Sequence, residues 1–358
     1  MPVEFLARCR LRSAQGRAKR RKNVRARRAS PRSCPRSPDA VIEGHALTDR
    51  TRPRSRAIRR SFWPARIGAS VADVKAYNVI GYAIILLYAV ACFVAAPSHL
   101  GPWAGLAIGA AYFVGAWFLA GLYLSDLVHL GIAHRSLDYA DWFMKTVTVV
   151  NNTIGIYVNP VTWVNRHRLH HTHADHDGDP NKLESDGFWR TMVLCVLPYR
   201  CRENVANDAI LKSLPFRLVA HPIWAVASQC ISFGLVWLLV RDVACAFVIW
   251  FGFRVFALWV NMIQNYWTHD RRFGWRRYDD AHDNAMNIDD WLPVTATFSA
   301  CLQNNHHHYP SLLRLSHDES EYDFGFLTVK AMKALGLVKA SARGDKLSSE
   351  IPLAAVNF

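Results

Sequence analysis

Histidine is the residue type whose placement speaks of chemistry: the chain has 16, and twelve lie between His129 and His176 or between His269 and His308. Imidazole is a metal ligand and a proton carrier, so clusters of it raise metal chemistry first. His129 and His134 are five apart. On a helix of 3.6 residues per turn that spacing separates the rings by about 140°, so one metal is reached by both only through a π-turn or at a helix end. His167, His170 and His171 stand at i, i+3 and i+4, which share a helix face and can serve adjacent ions. Behind them Asp175, Asp177 and Asp179 are acceptors able to fix ring tautomers. A third set is Gln303-Asn304-Asn305-His306-His307-His308-Tyr309-Pro310, and Asn265 with His269 makes a fourth. Singly, the His129 pair and the third and fourth sets are unremarkable, whereas the His167 set favours a metal over a solvated polar face. Together they supply about eight imidazoles, twice what a tetrahedral zinc accepts. Two ions are implied, and imidazole-rich ligation without thiolates suits iron.

The elements that must position these rings are apolar. Four stretches are long enough to cross a bilayer, which takes about 20 helical residues: 78–96, 104–124, 222–240 and 243–263. Only the last holds a charge, Arg254, which should face a protein partner or a polar cavity rather than lipid. Short links join the first to the second and the third to the fourth, giving two helical hairpins. Gly105 and Gly109 in the second stretch read as a close helix contact. The segment 141–164, with Asn151, Asn152 and Asn159 among its aromatics, is too polar to span and belongs at the interface. The fold expected is all-α and integral to the membrane: four transmembrane helices in two hairpins, with a cytoplasmic helical cap carrying the histidines.

The formal charge of +15 sits entirely in residues 1–60, and the remaining chain is neutral. The folded part therefore offers no net basic charge to nucleic acid, which is not expected as a partner, and the basic tail is left to explain. It lacks periodicity and an apolar core, so it reads as disordered rather than as a secretory signal; a transit peptide, contact with anionic lipid or RNA, or an artefact of the start site would each produce it. A basic flank before the first span places both termini and the histidines in the cytoplasm by the positive-inside rule. With 51% hydrophobic residues and a mean hydropathy of +0.01, disorder throughout is excluded. The eight cysteines contain no CxxC pair, so neither a disulfide framework nor a zinc ribbon is indicated. The domain expectation is a tail over 1–60, a membrane domain over 61–311, and a cytoplasmic tail over 312–358 with a short helix near 326–337.

The order HxxxxH at the end of the second span, HxxHH in the following loop, NxxxH after the fourth and then QNNHHHYP resembles the integral-membrane fatty acid desaturases of the Δ9 acyl-CoA and acyl-lipid branch. The resemblance runs from about 78 to 311 and includes the stretch His269-Asp-Arg-Arg-Phe-Gly274-Trp-Arg276-Arg-Tyr278. It implies a di-iron site bound by His129, His134, His167, His170, His171, His269, His306 and His307, with Asn265 reaching a metal through water. The family's first histidine of the third box falls on Gln303, a weaker donor that could ligate, hold a water or leave a position open. A register using His307 and His308 is the alternative. The implied reaction is O2-dependent insertion of a cis double bond into a saturated acyl chain.

Arg135, Arg166, Arg168 and Lys182 lie beside these ligands and could bind a phosphate-bearing head group or a donor protein, or could pair with Asp138, Asp175 and Asp177. Electrons must come from a ferredoxin, rubredoxin or cytochrome partner, because no flavin, dinucleotide or fused haem motif is present. Two other functions compete. A lipid or carotenoid hydroxylase or ketolase would use the same kind of di-iron centre. A metal transporter would need polar ligands inside the spans, and apart from Arg254 these carry no charge.

Overall fold

The computed structural model describes residues 75–181, 183–196, 203–279, 283–318 and 320–341, together with the backbone only of 183–186. The tail over 1–60, the extreme carboxyl end and Lys182 lie outside the described residues. Long apolar helices dominate: α1 (Ala76–Val94), α2 (Pro102–Gly121), α7 (Pro222–Val240) and α8 (Val243–Asn265). All four are long and apolar enough to cross a membrane. At 1.5 Å per residue, α2 alone reaches about 30 Å, the thickness of the hydrocarbon core. Its continuation, a π-helix over Leu122–Ala133, therefore emerges from the core carrying His129 to the membrane face.

The hairpins close as their small residues dictate. Side chains added at Gly105 and Gly109 would strike Ala96, just past α1, and Cys92 of α1, and the Tyr88 hydroxyl donates to the Gly109 carbonyl at 2.9 Å. Helix α8 packs against α1, α2 and α7. Arg254 of α8 places its guanidinium among neutral acceptors: Gln229 Oε1 at 2.9 and 3.0 Å, Ser232 Oγ at 3.1 Å, Tyr112 OH at 3.2 Å and the Trp250 carbonyl at 2.7 Å. Those five contacts use all its N–H groups, and protein rather than lipid surrounds the charge.

The remaining elements gather where α1 begins and α2 and α8 end. They include α3 (Asp141–Ile154), α4 (Pro160–His173), α5 (Leu183–Val196) and α6 (Leu214–Val219), then α9 (Trp291–Ala296), α10 (Gln303–His308) and α11 (Phe324–Ala334). Lys75 pairs with Asp290 at 3.1 Å and Tyr77 donates to the same carboxylate at 2.6 Å, tying the start of α1 to this layer. At the opposite end His99, between α1 and α2, meets the Val240 carbonyl at the end of α7. The polar layer thus covers one face of the helical stem.

One boundary differs from the expectation. Residues 312–341 are not a tail: Leu313, Phe326, Val329, Met332 and Val338 are buried in one cluster with Leu127, Val128 and Leu130 of the π-helix. Strand β2 (Val338–Ala340) pairs antiparallel with β1 (Leu137–Tyr139), which follows the π-helix. Apolar residues spaced along α11 dock it on the element that carries the first two histidines.

Candidate metal centre

The π-helix resolves the awkward spacing of the first pair. Its i→i+5 pattern ends in a bond from the His134 amide to the His129 carbonyl at 3.0 Å, which stacks residues five apart, and the two rings lie 4.8 Å apart between centroids. Its end is held by Arg168 of α4, which donates to the carbonyls of Ile132 (2.6 Å) and Ala133 (3.0 Å), to the Val205 carbonyl, and to both oxygens of Asp208.

Helix α4 starts cleanly, with Asn159 capping Thr162 and Pro160 in the first turn. Its last turns present His167, His170 and His171, while α10 presents His306 and His307, and a short 3₁₀ turn after α8 (Trp267–His269) presents His269. These eight rings fall into two groups. His129, His134, His167, His171 and His306 form one; His170, His269 and His307 form the other; the ligand atoms of each lie within 4.8 Å of one another. Ring nitrogens face inward: Nε2 of His129 is 2.9 Å from that of His306, His134 is 2.8 Å from His167, His171 is 3.0 Å from His306, and His170 is 3.3 Å from His307. The groups adjoin, the His171 and His307 centroids being 4.6 Å apart.

The outer nitrogens of the three-ring group are backed by carboxylates. His170 Nδ1 lies 2.9 and 3.0 Å from the two Asp179 oxygens, His307 Nδ1 3.4 Å from Asp283, and His269 Nδ1 3.5 Å from Asp175. A carboxylate behind Nδ1 keeps its proton there and leaves the Nε2 lone pair bare toward the centre. Burial and the facing imidazoles hold His167, His171 and His306 well below the usual imidazole value. Burial pushes His307 down to about 4 against the opposing pull of Asp283. The four are therefore neutral at pH 7. Burial alone would raise Asp175, Asp179 and Asp283, yet the histidines and backbone amides facing them hold all three below the usual carboxylate range. Convergent ring nitrogens, with three of the rings backed by carboxylates, fit a pair of bound cations, and a donor set of imidazoles is one that iron accepts.

A cavity of about 540 Å³ opens onto the rings of His129, His167, His170 and His269. Its other walls mix apolar side chains (Leu124, Ile156, Val158, Trp163, Leu194, Val196, Ala225) with polar ones (Asn159, Arg166, Asn261, Asn265, Gln303). Trp163 also lies flat on His167, 9° from parallel, fixing that ring's plane.

Of the sequence candidates, the eight histidines come together in these two groups, and Asn265 and Gln303 line the adjoining cavity. His308 stands apart, its ring stacked on Tyr278 at 3.8 Å. The arginines divide. Arg168 has all five donors committed inside the protein, and Arg135 pairs with Asp208 at 2.9 Å, a partner outside the three acids considered. Arg166 lines the cavity while bonding Asn181 and the Leu194 carbonyl. Asp283 was missed: a lone acid more than 20 residues from the ring it supports carries no spacing signal. Also missed was the frame behind α10, where Asn305 bonds Asn287 (2.8 Å) and Glu321 (3.1 Å), and Glu321 bonds Arg277 (2.6 Å).

No protein-family model matches the chain. Over 267 residues it is 27% identical to the sn-1 stearoyl-lipid 9-desaturase of Anabaena variabilis, a match covering 72% of this chain and 90% of that protein. It is 27% identical over 254 residues to the sn-2 palmitoyl-lipid 9-desaturase of Nostoc sp. (strain 36), covering 67% and 84%. To the Delta-9 acyl-lipid desaturase 1 of Arabidopsis thaliana it is 24% identical over 243 residues, covering 65% and 73%.

Proposed function

From the similarity to curated acyl-lipid desaturases, we propose that the chain is an integral-membrane fatty acid desaturase that inserts a cis double bond, Δ9-like in position, into a saturated acyl chain carried by lipid, coenzyme A or a carrier protein. The observation that carries this reading is the two adjoining groups of buried imidazoles beside a partly apolar cavity. His129, His134, His167, His171 and His306 would hold one iron, and His170, His269 and His307 the other, with Asn265 and Gln303 at the cavity side. A bound di-iron pair supplies O2-dependent oxidation of an unactivated methylene. In the balanced reaction two hydrogens leave adjacent carbons, two electrons and two protons are added, and O2 becomes two waters.

The chain's own residues orient and exclude. Asp175, Asp179 and Asp283 fix the ring tautomers of the three-ring group, and Trp163 fixes the plane of His167. Apolar cavity walls keep water from the oxidant and hold one pair of methylenes in reach, the positioning that makes the attack effectively unimolecular. Electrons come from a separate ferredoxin, rubredoxin or cytochrome, since the sequence holds no flavin or haem motif. The basic flank before α1 supports a cytoplasmic position for this face.

Expression of the full chain in a desaturase-deficient host, with gas chromatography and mass spectrometry of total fatty acids beside a His171→Ala variant, tests the reading. A new cis-unsaturated acid lost in the variant is expected. A hydroxylated or keto product would overturn it in favour of a hydroxylase or ketolase.

A further inference from the structure

Three neighbouring amides on α10 have different fates. Asn304 accepts from the amides of Arg277 and Tyr278 and donates to the Tyr278 carbonyl. Asn305 is engaged by Asn287, Leu315 and Glu321. Gln303 is 7% exposed and lines the cavity that reaches His129, His167, His170 and His269, and its amide bonds none of the described residues. Its polar atoms open onto the cavity rather than being sealed in protein, so they can meet a ligand that enters there. Gln303 precedes His307 by four residues, one helical turn, which puts both on the same face of α10. Asn265 lines the same wall and spends its NH2 on the Asn261 carbonyl at 2.8 Å, leaving its oxygen to the cavity.

The two groups are unequal, with five imidazoles in one and three in the other, and the two amides line a cavity that reaches both. We propose that Gln303 makes the three-imidazole position the exchangeable one of the pair, its amide holding a coordination place that a small anion or diatomic molecule entering through the cavity can take. This rests on the two-iron reading above. An amide oxygen is a neutral and weaker donor than imidazole, so it yields to an incoming ligand where a histidine would not.

The test is spectroscopic titration of the iron-loaded full chain in nanodiscs with azide, with iron counted by mass spectrometry in every sample. Wild-type protein is expected to bind azide. Gln303→His should weaken azide binding about tenfold or more, Gln303→Glu should weaken it in the same direction, and Gln303→Ala should bind at least as tightly as wild type. Azide affinity unchanged across the series, or weakened in Gln303→Ala, overturns the proposal while two irons per chain remain. Fewer than two irons in the wild type would instead overturn the two-iron reading and this inference with it.

Discussion

Asp283 shows how much one carboxylate does at the residue scale. It backs His307 at 3.4 Å and is itself held by Arg276 at 3.3 Å, so Asp283→Asn keeps the shape and removes the charge behind the ring. Partners of this kind are worth about 10–100-fold in metal affinity. Chelator titration of iron from the variant should show a loss of that size, with the helical content unchanged. The imidazoles also set a pH dependence. His307 falls to about 4 on folding, and His167, His171 and His306 fall well below 6.5, whereas the unfolded chain protonates them near 6.5. The unfolded state then binds more protons as pH drops from 6.5 toward 4, so stability is present above this window and lost within it. Thermal unfolding of the metal-free protein at pH 7 and pH 5 should show the lower midpoint at pH 5; an unchanged midpoint would contradict neutral burial of these rings.

At the scale of elements, the π-helix is the feature on which the five-ring group depends. The spacing of His129 and His134 showed that an ordinary helix fails, but the choice between a π-turn and a helix end was not legible. It is settled by contacts distant in sequence: Arg168 on the last carbonyls, Phe298 against Gly121, and α11 along the side. Arg168→Lys keeps a charge and loses the fork that reaches two carbonyls and Asp208 together. Losing charge-assisted hydrogen bonds of this kind costs about 1.5–3 kcal/mol, expected as a lowered midpoint and as iron lost from the purified variant. Gly121→Ala places a methyl into the Phe298 ring, an overpacking worth about 1–3 kcal/mol, and should lower the midpoint with the same loss of iron. If either variant keeps full iron, the π-helix does not depend on that contact.

Across the whole molecule, the spans and the histidine sets were legible because each has a strong local signature: some 20 apolar residues, or rings at helical spacing. The docking of residues 312–341 was not. Phe326, Val329 and Met332 recur every third residue, which marks a short helix, but that spacing does not say what covers its apolar face, and only the tertiary partner on the π-helix gives it a core. A chain ending at residue 311 should therefore lose iron and aggregate in detergent, as size-exclusion chromatography would show. Arg254 illustrates the opposite case, a sequence anomaly whose need for protein partners was plain but whose partners, Gln229, Ser232 and Tyr112, were not. The central claim is that the centre removes two hydrogens from adjacent methylenes and leaves no oxygen behind. Feeding a host that expresses the full chain with acyl chains deuterated at a vicinal methylene pair, under 18O2, tests it directly. The account predicts an olefin that has lost two labels from neighbouring carbons and carries no 18O. An acyl product that retains 18O at one of those carbons would contradict it.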